Sequence, residues 1–266
     1  MRWGISTLLI DKTDILSNAH LLKELGIDYL EIRAELNHFR YDDEGYVDSL
    51  RSVLKKTGLL AYSLHMPISE VDISYLDETK RIRSIREIKK ACRSFMRLGG
   101  EIVVVHPGGR MRDELLRKDH LAKSFESLWE LNNFFSDCGL KMALENTLPP
   151  RIGSGIEEIL TLLKRLNSNN AGICLDTGHI NIEGDPVLAL RKFANYLIHL
   201  HIADNRGKND DHFLPGKGSI DWESFLTILK EIDYQGIFML EVKNEQTTSK
   251  MIQRIKKVKE KITTLW

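Results

Sequence analysis

Eight short β-type segments alternate with longer helical segments along the whole chain, and this alternation limits the folds available to it. The β-type segments are predicted at 3–6, 27–33, 59–65, 101–106, 141–145, 172–176, 196–202 and 237–242. Strict alternation is typical of parallel strands joined by right-handed crossovers. At 266 residues the chain has the length of a closed (β/α)8 barrel, predicted here as one domain spanning 1–266. An open doubly wound sheet is the alternative, but no Gly-x-Gly-x-x-Gly follows the first β-type segment.

The helical segments carry start and stop signals of their own. Apolar residues recur every three or four positions over 79–98, which predicts a helix with one buried face. Asp185-Pro186 and Asp221 are predicted N-caps, and Ser154 with Glu157 fits a capping box. Four glycines are predicted to close helices in the left-handed conformation just before the next strand: Gly26, Gly58, Gly99 and Gly139.

Charge and cysteine content exclude some classes of protein. Lys plus Arg and Asp plus Glu number 38 each, so no overall field attracts nucleic acid or a membrane surface. Three scattered cysteines, Cys92, Cys138 and Cys174, are predicted to be buried thiols in a reducing compartment. The N-terminus has no signal-like apolar block, and no apolar run is long enough to span a bilayer. We therefore expect a cytoplasmic protein without membrane partners, and the sequence is compatible with a homo-oligomer.

Six successive β-type segments end in a side chain that can bind a metal. Enzymes built on parallel barrels carry their chemistry at the C-terminal ends of the strands. The background frequency of Asp, Glu and His makes six such endings in a row an improbable coincidence. The residues at these ends are His65, His106, Glu145, Asp176 with His179 close behind, His201 and Glu241.

The stretch from His199 to Trp222 adds further polar groups after the seventh strand. Asp210 and His212 are two residues apart, so on an extended backbone they would lie on one side and could bind one cation. His199 precedes His201 by two residues and is predicted to be a packed, hydrogen-bonded histidine one layer deeper in the barrel.

These motifs resemble those of the xylose-isomerase-like barrel superfamily, which contains endonuclease IV and many sugar isomerases and epimerases. The resemblance covers nearly the whole chain and is greatest to the sugar phosphate isomerase/epimerase-like branch. The motifs that carry it are His65-Met-Pro, Val105-His-Pro-Gly, Leu175-Asp-Thr-Gly-His, Asp210-x-His212 and Pro215-Gly-x-Gly-x-Ile-Asp-Trp.

The resemblance to the isomerases implies one divalent ion held by Glu145, Asp176, His201 and Glu241. Such a donor set of mostly oxygen atoms suits Mn, Mg or Co. The ion would bind neighbouring carbonyl and hydroxyl oxygens of a ketose, and Glu145 and Glu241 would exchange a proton with the carbon between them through an enediolate. Arg206, Lys217 and Glu31 are the predicted substrate contacts. The resemblance does not choose between sugar and sugar phosphate, or between isomerisation, epimerisation and dehydration.

Endonuclease IV provides the alternative, in which a cluster of three zinc ions cleaves abasic DNA. The chain has every ligand type for it, since His65, His106, His179, Asp210 and His212 would add to the four residues above. Two departures favour the sugar enzyme. Asp204-Asn-Arg stands where endonuclease IV has Asp-Ser-Lys, and the aromatic loop 38–41 is followed by three acidic residues that would repel a phosphate backbone. A non-catalytic metal- or sugar-binding barrel ranks third, because both Glu145 and Glu241 are present.

A few polar residues receive simpler interpretations. Glu31 and Arg33 share a face of the second strand and could pair with each other or support the site from behind. His20 and His120 lie in helical segments among charged neighbours and are predicted to be solvated.

Overall fold

The chain folds into a closed barrel of eight parallel strands in sequential order. The structure is a computed structural model that describes residues 1–10, 13–244 and 248–266. Ring closure is made by β1 against β8, with Arg2 opposite Ile237 and Ile5 opposite Leu240. The strands are β1 Arg2–Ser6, β2 Tyr29–Arg33, β3 Leu60–His65, β4 Ile102–Val105, β5 Lys141–Glu145, β6 Ala171–Asp176, β7 Leu197–Ile202 and β8 Ile237–Leu240. The predicted (β/α)8 barrel is confirmed.

Helices surround the barrel on the outside. They are α1 Ile15–Lys23, α2 Glu44–Thr57, α3 Glu78–Arg97, α4 Arg117–Asp137, α5 Ile156–Leu166, α6 Thr177–Glu183, α7 Pro186–Phe193, α8 Trp222–Glu231 and α9 Thr248–Leu265. Short 3-10 turns occur at Thr7–Ile10, Glu114–Leu116 and Ala194–Tyr196. Within the described ranges no helix combines the length and the apolar character needed to cross a bilayer.

Side chains divide between two cores because they alternate along each strand. Val103 and Val105 of β4 belong to the large core between the sheet and the helices. Ile102 and Val104 instead join Ala143 and Cys174 in a small cluster inside the barrel. Buried polar residues share these layers, because Ser63 pairs with Ile102 and His199 pairs with Cys174.

Most local signals act as the sequence predicts. Asp185 accepts a hydrogen bond from the Val187 amide, with Pro186 in the first turn of α7. Asp221 accepts one from the Ser224 amide at the start of α8. All four predicted cap glycines have positive φ values, between 65° and 85°. Cys92 and Cys174 are buried and Cys138 is partly buried, all three as free thiols.

Two local predictions are wrong. Gly155, not Ser154, is the N-cap of α5, and it has no side chain to cap the helix. The Ser154 hydroxyl instead accepts a hydrogen bond from Arg117. His120 is half-buried rather than solvated, and its Nδ1 lies 2.7 Å from the carbonyl oxygen of Ser74. In both cases a contact between distant segments replaces the local interaction. His20 is exposed, as predicted.

Candidate active site

Four of the predicted residues meet at the C-terminal end of the barrel. Each contributes one donor atom to a group whose atoms all lie within 4.8 Å of one another, and all four residues are buried. His201 is central, with its Nδ1 3.2 Å from Glu145 Oε1 and 3.2 Å from Glu241 Oε2. Asp176 Oδ2 lies 3.9 Å from the same nitrogen. We call Glu145, Asp176, His201 and Glu241 the floor group.

The floor group has the properties of a divalent metal site. Asp176 Oδ2 and Glu241 Oε2 are buried and have no hydrogen-bond partner among the described residues. Buried carboxylate oxygens without partners are costly, and a cation would compensate them. The other oxygen of Asp176 is already used, because it accepts the His179 amide at 2.8 Å at the start of α6. The residues present therefore fit a hard divalent cation with three carboxylate ligands and one imidazole.

The electrostatics of the floor group indicate the same preference for positive charge. Burial, followed by the neighbouring Glu241 and Glu145, raises the pKa of Asp176 to about 7. Burial also opposes ionisation of Glu241, but attraction to His201 outweighs it and lowers that pKa to about 2. Burial disfavours the charged form of His201, yet the surrounding negative groups raise its pKa well above the usual range. The floor thus concentrates negative charge in a region closed to water.

Two histidines form a second group on the other side of Glu145. His106 Nε2 lies 3.0 Å and His65 Nε2 3.4 Å from Glu145 Oε2. Glu145 therefore directs one oxygen toward His201 and the other toward this pair. His65, His106 and Glu145 also offer donor atoms within 4.8 Å of one another.

Asp210 and His212 do converge, but not for the predicted reason. Asp210 Oδ2 lies 2.9 Å from His212 Nε2 and 3.7 Å from His179 Nε2. The expected extended backbone is wrong, because this stretch is an irregular loop in which His212 has a φ of 49°. A left-handed turn brings the side chains together instead of strand alternation.

Backbone carbonyls orient three of these histidines. The Nδ1 atoms of His65, His179 and His212 lie 2.8–2.9 Å from the carbonyl oxygens of Met66, Asn146 and Glu241 respectively. An Nδ1–H that donates to a carbonyl leaves Nε2 free to accept from, or bind, a group on the other side. Each of these rings consequently presents Nε2 to the site.

Glu31 orients the His201 ring the other way round, with Nδ1 rather than Nε2 facing the site. Its Oε2 lies 2.9 Å from His201 Nε2 and 3.0 Å from His199 Nε2, and it accepts a hydrogen bond from Ser63 Oγ at 2.9 Å. His201 therefore presents Nδ1 to the floor group. Glu31 is fully buried and does not line the cavity, so its predicted direct contact with substrate is not what the structure shows. Its pairing with Arg33 is likewise replaced by the two histidines, and His199 is the packed histidine predicted.

A cavity of about 290 Å³ opens above these residues. Seven of the nine predicted ligands line it, namely Glu145, Glu241, Asp210 and four histidines, whereas Asp176 and His201 do not. Arg206 and Lys217 do not line it; their charged groups lie over the Phe213 ring, at 5.8 and 3.9 Å. The loop after β7 turns both side chains toward this aromatic ring, and their contact with substrate stays a prediction. The cations that do line the cavity are Arg33, Arg151 and Lys243. Closeness to a strand end could have identified Arg33 and Lys243, whereas Arg151 lies in the loop between β5 and α5 and has no such signal.

Asp204 explains the Pro-Gly-x-Gly motif of the loop after β7. Its Oδ2 accepts hydrogen bonds from the amides of Gly216 and Gly218 at 2.8 and 2.9 Å and from Trp222 Nε1 at 3.0 Å. A Cβ on Gly218 would lie 2.1 Å from the carbonyl oxygen of Asn205, so only glycine fits there. The loop that carries Asp210 and His212 is thus fastened at its far end.

The closed barrel, with its polar residues at the C-terminal ends of the strands, is an architecture with known relatives. The model of the xylose isomerase-like TIM barrel family matches residues 19–265, and the chain belongs to this family.

Individual relatives are similar over most of their length. The D-psicose 3-epimerase of Ruminiclostridium cellulolyticum is 27% identical, over 82% of this chain and 74% of that protein. The crystal structure of a D-tagatose 3-epimerase-like protein has a TM-score of 0.88 at 29% identity and covers 99% of both chains. A crystal structure of the IolI protein with a bound zinc atom has a TM-score of 0.83 at 22% identity, covering 98% of both chains.

Proposed function

We propose that the protein is a divalent-metal-dependent sugar isomerase or epimerase. The observation that carries this proposal is the floor group, in which two carboxylates suited to proton transfer share one imidazole and leave buried oxygens without partners. The similarity to D-psicose and D-tagatose 3-epimerase proteins supports the same class of reaction.

Each residue receives a role from its position. Glu145, Asp176, His201 and Glu241 would hold the ion, and the mostly oxygen donor set favours Mn, Co or Mg. When bound, the ion would polarise the carbonyl and the neighbouring hydroxyl of a ketose and acidify the C–H between them.

Glu145 and Glu241 would move the proton. They come from β5 and from the residue after β8, three strands apart around the ring. One carboxylate removes the proton from carbon, and the electron pair of the C–H bond passes to the carbonyl oxygen. The other carboxyl, protonated at the start of that turnover, delivers its proton to the opposite face and inverts the carbon. The two side chains then hold exchanged protonation states, and proton exchange with water restores the starting states before the next forward turnover.

Solvent exchange tests this proposal. The metal-loaded protein is incubated with a panel of ketoses in deuterium oxide, and loss of the C–H signal beside the carbonyl is followed by proton NMR. We expect exchange with at least one ketose, and its loss in Glu241→Gln. Glu260→Gln, an exposed position on α9, is the matched control and should exchange normally. Undiminished exchange in Glu241→Gln would remove Glu241 from the proton transfer.

A second function, cleavage of abasic DNA by three zinc ions, is favoured by one specific observation. His65 and His106 on one side of the floor group, and Asp210 with its two histidines on the other, provide donors for further ions. Nicking of an abasic duplex by zinc-loaded protein, with no exchange in any ketose, would select this function instead.

A further inference from the structure

Three cationic side chains line the cavity above the floor group and give that part of the site positive charge. Arg33 is the last residue of β2, Arg151 lies between β5 and α5, and Lys243 follows Glu241 by two residues. Arg33 and Lys243 therefore flank β1, and Arg151 approaches from across the ring. We call these three residues the basic rim.

The basic rim has no carboxylate partner in the part of the chain that is described. Among the described residues none of the three side chains has an ion pair within 4.0 Å, and Arg33 and Arg151 are half-buried. Lys243 is exposed, and its Nζ donates a hydrogen bond to the carbonyl oxygen of Asp210 at 3.4 Å. Other arginines of this protein are paired: Arg117 binds Glu158 through two nitrogens, both at 2.9 Å, and Arg97 binds Asp48 at 2.7 Å. A partly desolvated guanidinium without a counter-charge is unfavourable, and a bound anion would remove that cost.

The carboxylates that line the same cavity contact histidines, and among the described residues none lies within 4.0 Å of a cation of the basic rim. Glu145 contacts His65, His106 and His201, and Asp210 contacts His212. Glu241 lies against His201 in the floor group. Negative charge is thus held at the floor, where the ion would bind, and positive charge stands at the rim.

The backbone that carries the rim is fixed by hydrogen bonds. The Arg33 amide donates to Thr7 Oγ1 at 3.0 Å, and the Lys243 amide donates to the carbonyl oxygen of His212 at 3.2 Å. The Arg151 amide donates to the carbonyl oxygen of Leu148 at 2.9 Å. Cations on a fixed backbone lose less freedom when a ligand binds than cations on a free loop do.

We propose that the substrate is a monosaccharide bearing an anionic group, a phosphate or a carboxylate, which the basic rim binds while the reacting carbons lie over the floor group. This inference rests on the proposed function, since it places the sugar at the same site. Guanidinium groups match phosphate and carboxylate oxygens in pairs, and a neutral ketose would leave three cations at the rim without a counter-charge. A cavity of about 290 Å³ is at the small end of ligand pockets, in keeping with a single sugar unit.

Calorimetric titration of the manganese-loaded protein tests the proposal without turnover. The probes are fructose 6-phosphate, fructuronate, fructose and inorganic phosphate. We expect one of the two anionic sugars to bind at least about tenfold more tightly than fructose, with phosphate competing if the anion is a phosphate. Preference for fructuronate would assign a carboxylate instead.

Single variants then locate the contact. Arg33→Gln, Arg151→Gln or Lys243→Gln should weaken binding of the preferred sugar by on the order of 10- to 100-fold and binding of fructose by much less, so that the preference for the anionic sugar is lost. Lys256→Gln, an exposed position on α9, should change nothing. Any of three results would overturn the proposal. These are equal affinity for fructose and both anionic sugars, a preference for the anionic sugar that is unchanged in all three variants, and no binding of any anion. Anion binding without solvent exchange would support the role of the basic rim and contradict the proposed reaction. Exchange in neutral ketoses alone would support the proposed reaction and contradict the role of the basic rim.

Discussion

Glu31 is predicted to set metal affinity without touching the metal. Its carboxylate accepts from His201 Nε2, His199 Nε2 and Ser63 Oγ at 2.9–3.0 Å, and it is fully buried. The contact with His201 fixes which ring nitrogen faces the floor group and makes that nitrogen more basic. All three contacts are made by Oε2, so in Glu31→Gln one amide oxygen can still occupy that position, but the negative charge that orients and polarises His201 is lost. We expect metal affinity to fall about 10- to 100-fold, which corresponds to about 1.4–2.7 kcal/mol.

The assay is a competition titration of manganese between the protein and a chelating indicator. Ser63→Ala is the matched control, because it removes one hydrogen bond from the same carboxylate and keeps its charge. Its effect on metal affinity should be much smaller than that of Glu31→Gln. The melting temperature of the chelator-treated proteins shows whether each variant folds. Unchanged metal affinity in a folded Glu31→Gln protein would refute the argument that this carboxylate orients His201.

Three further outcomes are expected. Asp204→Ala removes the acceptor of five hydrogen bonds in the β7 loop, three at Oδ2 and two at Oδ1, and should lower the free energy of unfolding by at least about 3 kcal/mol in a urea titration; an unchanged midpoint would contradict the anchoring role. Gly218→Ala should destabilise by about 1–3 kcal/mol because its Cβ meets a carbonyl oxygen, whereas Gly184→Ala, with nothing within 4 Å, should be tolerated. Manganese at a hundred times its dissociation constant should stabilise the protein by about 2.7 kcal/mol, and Asp176→Asn should abolish this gain; an equal gain in that variant would place the ion elsewhere.

The sequence predicted the fold well because a barrel repeats one simple unit. Each strand-to-helix unit carries its own periodicity and cap signals, so local patterns alone locate it. The sequence also predicted where the strands end, and therefore that Glu145, Asp176, His201 and Glu241 lie close together. Parallel strands of a closed ring all end on one side, which makes their last residues neighbours whatever lies between them.

The contacts that were not predicted from the sequence depend on the paths of the long loops. Arg206 and Lys217 have the right charge for a substrate contact, but the loop after β7 places both beside Phe213. Arg151, in a loop with no clear pattern, instead reaches the cavity. For Glu31 the sequence left open a pair with Arg33, a contact with substrate and a supporting role behind the site, and the contact with His201 Nε2 at 2.9 Å is the supporting arrangement. Such contacts join residues distant in sequence, and local propensity does not encode them.

Metal stoichiometry tests the central claim most directly. Elemental mass spectrometry is applied to protein purified without chelators or a metal-binding tag. We predict close to one ion per chain, manganese, cobalt or magnesium, lost in Asp176→Asn and retained in His65→Ala and His212→Ala. About three zinc ions per chain, with sites emptied in His65→Ala and His212→Ala, would contradict the single-ion sugar enzyme and support the phosphodiester-cleaving alternative.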